Sequence, residues 1–167
     1  HLGQHRAQDA RDLGTIHAVD ASGNLYLAGT TTSTNFPTLN AAQNAYGGGE
    51  GDLFVTKLGA GGNALVFSTY LGGSGDESLS SILQLDASGQ IYICGQTDSA
   101  NYPTRNPIQT AYGGGAGDIV LTKLNSSGNS ILYSTYLGGN GSDSGSIRYD
   151  PAGHLLQVGM TTSSNLS

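Results

Sequence analysis

Charge is what this sequence has least of. Only 11% of its 167 residues are charged, against about 25% in an ordinary soluble domain. Six Lys and Arg stand singly among twelve Asp and Glu, giving a net charge of −6. Nothing forms the basic footprint that nucleic acid or an anionic membrane surface requires. No apolar run approaches the roughly 18 residues of a membrane span, so neither nucleic-acid binding nor membrane insertion is expected. Trp is absent and Cys94 is the single cysteine, which excludes an internal disulfide. Cys94 lies in an apolar run and reads as a small buried thiol. Pro is scarce, with four residues. Apolar residues nonetheless recur in short regular runs, which argues against disorder. No window of useful length carries helical periodicity.

Glycine fills the space left by charge, with 27 residues, together with Ser, Thr and Asn. That mixture suits short strands joined by tight turns, because Gly and Asn reach positive φ cheaply. The chain is also written more than once. DASGNLYLAG (residues 20–29) returns as DASGQIYICG (86–95) and, in worn form, as DPAGHLLQVG (150–159). Residues 20–73 against 86–139 align without a gap at about 31 identities in 54 positions, which is duplication.

Each period predicts two hairpins. Strands at 15–20 and 24–30 flank DASGN, and strands at 52–58 and 64–71 flank GAGGN. Asp and Asn cap such turns while Gly takes the positive φ. NLYLA and QIYIC are apolar on both faces, so they read as interior strands. Leu25, Leu27, Ile91, Ile93 and Cys94 are therefore expected to be buried, and Lys57 and Lys123 to keep their ammonium groups in water. Four short antiparallel strands per period, in tandem, are the signature of β-propeller blades. The expected fold is all-β, with about two and a half repeats: about 14–73, about 80–139 and a partial third at about 145–167. Each YGGGxGD segment, at 46–52 and 112–118, is then the bend that feeds a third strand.

The order DASGN-Y-G-T-S-NFP, then YGGG-GD-FVTKL, then AL-FSTYLGG-G-DE resembles the SBBP repeat, a β-propeller repeat of bacterial secreted and cell-surface proteins. The resemblance runs from about Leu13 onward. It implies a propeller fold, an extracellular or cell-surface setting and no assigned catalytic activity, and it brings no established catalytic or binding residues with it.

Residue chemistry adds candidates. GGNGSD (138–143) matches the start of a calcium-binding nonapeptide, and GGSGDE (72–77) nearly does. Asp76, Glu77 and Asp143 are thus candidate calcium ligands. The competing reading is a structural turn, which the spacing of 66 residues favours, because nonapeptide turns share ions by stacking directly. The insertions at 31–51 and 97–117 carry Asn35, Phe36 and Tyr46, repeated as Asn101, Tyr102 and Tyr112. Aromatic faces beside amides can hold a glycan. Alternatively, Phe36-Pro37 and Tyr102-Pro103 tuck each loop onto its own blade. His1 and His5 have HxxxH spacing without a third ligand nearby, and His17 and His154 occupy non-equivalent positions. No GxSxG elbow and no phosphate-binding loop occurs.

The expected function is a non-catalytic surface scaffold or adhesion module that needs no cofactor. The alternative is a glycan-binding module. A closed propeller needs at least about four blades. The partial third repeat and the HLG at residues 1–3, which reads as the tail of a fourth strand, therefore imply completion by further blades of a longer parent or by copies of the same chain.

Overall fold

The computed structural model describes residues 12–149 and 154–166. The HLG segment, His1 and His5 lie outside these residues. The described residues form ten strands and no helix. β1 (Asp12–Val19), β2 (Leu25–Thr31), β3 (Asp52–Leu58) and β4 (Leu65–Leu71) make one antiparallel sheet in chain order. β5 (Glu77–Leu85), β6 (Ile91–Thr97), β7 (Asp118–Leu124) and β8 (Ile131–Leu137) make a second. β9 (Asp143–Tyr149) and β10 (Leu155–Thr161) pair as a third, two-stranded sheet. These sheets are propeller blades, two of four strands and one of two.

The turns form for the reason their letters suggest. Asp20 Oδ1 accepts the backbone N–H groups of Ser22 and Asn24, both at 3.0 Å, while Gly23 takes φ 81°. Asp86 Oδ1 accepts those of Ser88 and Gln90, both at 2.9 Å, and Gly89 takes φ 72°. Register repeats as well. Leu25 pairs Leu58 and Thr31 pairs Asp52 in the first blade; Ile91 pairs Leu124 and Thr97 pairs Asp118 in the second. Even the irregularity between Lys57 and Leu58 recurs between Lys123 and Leu124.

The third copy is shorter, and the sheet shows where. β5 has nine residues and bulges between Leu79 and Ile82 against β6. β9 has seven and pairs β10 without interruption, from Asp143↔Thr161 to Tyr149↔Leu155. The two residues missing from the third copy are those of the bulge.

Blades stack face to face. Tyr26, Ala28, Leu53, Val55, Phe67 and Leu71 of the first pack against Leu83, Ile91, Ile93 and Leu124 of the second. Cys94, Ile119 and Leu121 on the far side of the second pack against Ile147 and Leu155 of the third. Ile91, Ile93 and Cys94 are buried as expected. Leu25 and Leu27 are only half-buried, because they occupy the face of the first blade turned away from the second. The face that the second blade covers carries Tyr26 and Ala28 instead.

The lysines also differ from expectation. Lys57 Nζ lies 3.2 Å from Asp20 and 4.7 Å from the centre of the Tyr26 ring. Lys123 Nζ lies 3.5 Å from Asp86 and 4.6 Å from the Tyr92 ring. Each ammonium is drawn from bulk water to the hairpin that caps the neighbouring strand, so partial burial comes with a carboxylate and a π-face as compensation.

Candidate functional site: the blade junctions

The insertion of each full blade lies across the blade's own outer strand. Leu39 and Ser68 exchange backbone hydrogen bonds at 3.0 and 2.8 Å, and Arg105 and Ser134 do so at 3.0 and 2.9 Å. The Phe36 N–H donates to the Tyr70 hydroxyl oxygen at 2.7 Å, and that hydroxyl donates to the Ser33 carbonyl at 2.8 Å. Tyr102 N–H, Tyr136 and Ser99 repeat the arrangement at 2.9 and 2.8 Å. The loops thus cover exposed strand edges, which would otherwise template pairing with other chains.

This geometry locates the six candidate loop residues. Phe36 stacks on Phe54 at 4.5 Å and meets Tyr70 edge-on, as Tyr46 does. Tyr102 is 3% exposed and bonds the Thr122 hydroxyl at 3.0 Å. Tyr46 donates to Gly49 O and Tyr112 to Gly115 O, at 3.0 and 2.9 Å. Asn35 is exposed. Asn101 Oδ1 accepts from both the N–H and the hydroxyl of Ser74, at 2.8 and 2.9 Å. The aromatics therefore stay with their own blades, while Asn101 reaches the turn leaving the blade before it.

That reach belongs to a clasp at each junction. The Gly75 N–H donates to Ser99 Oγ at 2.8 Å, and the Asp76 N–H donates to Asp98 Oδ1 at 2.6 Å. Thr97 and Ser99 hydroxyls both donate to Glu77 Oε1, and the Gly73 N–H donates to Glu77 Oε2 at 3.0 Å. One repeat later, Asn140 N–H reaches Asn165 Oδ1 at 2.7 Å, Gly141 N–H reaches Ser163 Oγ at 2.9 Å, and Ser163 Oγ reaches Asp143 Oδ2 at 2.8 Å. The clasp is the pattern T-x-S-x-N, at 31–35, 97–101 and 161–165. It was visible in the sequence, but its partner on the neighbouring blade was not.

Each clasp closes over two carboxylates. Glu77 faces Asp52 across Gly72: a Cβ built on Gly72 would lie 2.4 Å from Glu77 Oε2 and 2.5 Å from Asp52 Oδ1. Asp143 faces Asp118 across Gly138 in the same way, at 2.8 Å from Oδ2 and 2.6 Å from Oδ1. Asp52 Oδ2 accepts the Gly47 N–H at 2.8 Å, and Asp118 Oδ2 accepts the Gly113 N–H at 2.7 Å. Asp52 Oδ1 and Asp118 Oδ1 are buried with no hydrogen-bond donor. Burial pushes Asp52 up to about 6, against the pull of the Gly47 and Gly48 N–H groups. It pushes Glu77 up to about 7, with the Asp52 charge adding to the rise and donors from Ser99, Thr97 and Gly73 opposing it. Asp118 is raised by burial, and the Asp143 charge adds to the rise. Burial also pushes Asp143 upward, but bonds from Thr161, Gly139 and Ser163 leave it below its ordinary value.

Of the three calcium candidates, Glu77 and Asp143 sit in separate, equivalent pairs. Asp76 is exposed at the rim, where it accepts the Glu50 N–H. The sequence does not single out Asp52 and Asp118, because a strand-opening Asp after glycines reads as a turn cap, a role each does fill. No group of three His, Cys, Asp or Glu side chains among the described residues has metal-site geometry. Among the described residues no helix is long and apolar enough to cross a membrane.

The SBBP family model, described as a beta-propeller repeat, matches residues 18–37, from the end of β1 through β2 to the first clasp. The chain thus carries an SBBP beta-propeller repeat over that segment. No curated protein matches the chain.

Proposed function

We propose that this chain is a non-catalytic structural module of an extracellular repeat protein. Its faces join it to further blades, or to copies of itself, as a surface scaffold or adhesion element. The observation that carries the reading is that apolar residues stay exposed on the outward faces of the first and third described blades. The first blade presents Val19, Leu25 and Leu27 on the face that no other described blade covers, and clasp residue Asn35 is exposed. The third presents Leu156, Val158 and Met160, the last two 72% and 78% exposed. Val158 corresponds to Ala28 and Cys94, both wholly buried under a following blade. On β2 and β6 one edge pairs with a third strand; among the described residues β10 has only β9. A cleft of about 290 Å³ beside β10 is lined by Ile119, Leu137, Met160 and Leu166. The inward turn of the loop aromatics supports this reading over glycan binding.

Appending residues 104–137 of this chain after Ser167 tests it. By the repeat register, that segment supplies the missing hairpin of the third blade. A raised thermal midpoint and slowed amide exchange along β10 are expected. An unchanged midpoint with β10 amides still exchanging freely would refute the reading.

A further inference from the structure

The buried acids at the junctions have no described cationic partner. The described ion pairs tie Lys57 to Asp20 and Lys123 to Asp86, at the hairpin turns. Yet Asp52 and Asp118 are wholly buried, Glu77 is 2% exposed and Asp143 is 1% exposed. Two carboxylates facing one another in a poorly solvated setting repel, and an ionised oxygen without a donor retains its full desolvation cost. Both features recur at the two junctions, in repeats that differ at many other positions. A proton or a cation can neutralise them, and the donor set limits which cation fits. Every side-chain ligand is a carboxylate oxygen, with no imidazole or thiolate to favour zinc. Mg²⁺ keeps several waters and demands near-octahedral geometry, whereas Ca²⁺ accepts irregular sets of carboxylate and carbonyl oxygens.

We propose that each blade junction binds one calcium-class divalent cation, held by Asp52 and Glu77 at the first junction and by Asp118 and Asp143 at the second. The unpartnered oxygens Asp52 Oδ1 and Asp118 Oδ1 are the primary ligands. Glu77 Oε2, which accepts a single N–H, retains lone-pair capacity toward Asp52. An approach exists at the first junction. A cleft of about 180 Å³ is lined by the exposed acids Asp76 and Asp98 and reaches Glu77 and Thr97. The cation would tie the third strand of one blade to the first strand of the next. This inference does not depend on what covers the chain's ends.

The test is calcium titration of the EDTA-stripped 167-residue chain by calorimetry near neutral pH, with thermal melts in calcium and in EDTA. Saturable uptake of two ions per chain and a higher midpoint in calcium are expected. Asp52→Asn and Asp118→Asn should each remove one ion. Asn keeps the shape of Asp and an acceptor for Gly47 or Gly113, and circular dichroism checks the fold. Should either variant fail to fold, terbium titration of the unmodified chain replaces it. Tyr46 precedes Gly47, whose N–H donates to Asp52 Oδ2 at 2.8 Å, so its ring stands beside the site as a sensitiser, and calcium should quench that emission. Three results would overturn the proposal: no saturable uptake, uptake that survives both substitutions but disappears in Asp76→Asn with Asp98→Asn, or equal midpoints in calcium and EDTA that rise only on acidification. The last would assign a shared proton to the pairs.

Discussion

Gly72 and Gly138 stand between the paired carboxylates of the two junctions. Any side chain at Gly72 would drive a Cβ to within 2.4 Å of both the Asp52 and Glu77 carboxyl groups. Gly72→Ala should therefore cost about 1–3 kcal/mol, the usual range for overpacking a filled site, seen as a lower denaturation midpoint with an unchanged m-value. Gly62, at φ 69° with nothing within 4 Å of its added Cβ, should feel only the backbone strain of a non-glycine residue at positive φ. Cys94 is wholly buried, and burial pushes its thiol up to about 11. A thiol reagent should modify it only as fast as the blades open; labelling at the rate of a free thiol would contradict the packing. The sequence made Cys94 legible through its apolar neighbours. It left the pairing of Asp52 with Glu77 hidden, because the two residues belong to different blades and each has a sufficient local role as a turn cap.

Strands and turns were the most legible elements. Predicted limits fell within a few residues of the observed ones, since Asp-x-Ser-Gly-Asn turns and β-branched runs fix them locally. The insertion was less legible. Its aromatics fit a ligand surface equally well until Tyr70 and Tyr136 are seen to hold the loop backbone. Its Asn acts one blade away. Asn101→Ala removes the acceptor for both Ser74 donors and should cost about 1 kcal/mol. Asn35→Ala, at the equivalent but exposed position, should stay within about 0.5 kcal/mol. Equal effects on thermal unfolding would contradict the clasp.

The junction also sets a pH dependence. Asp52 and Glu77 have folded-state values above those of the unfolded chain, so the folded state holds protons that the unfolded state has released. In EDTA, stability should fall as pH rises from the ordinary carboxylate value of about 4 to about 7, by linkage. Denaturation midpoints across that range check the sign, and Asp52→Asn should flatten the slope. A midpoint that rises over the same interval would show the pair to be better solvated than its burial implies.

Over the whole molecule, duplication explains both what the sequence revealed and what it concealed. A gapless repeat of apolar strands dictates that blades exist and stack. It cannot say which face of a strand is covered, because that depends on whether a blade lies beside it. Leu27 and Ile93 are equivalent letters in equivalent strands, yet Ile93 is buried and Leu27 half-exposed. The same asymmetry leaves Val158 and Met160 in solvent. Apolar faces that are covered wherever a neighbour exists should seek one wherever it does not. Sedimentation equilibrium of the 167-residue chain over a wide concentration range tests this most directly. The account predicts a mass-average well above 17.0 kDa that rises with concentration, and a return to the monomer on Val158→Asp. A monodisperse 17.0 kDa species at every concentration, with unfolding independent of concentration, would contradict it.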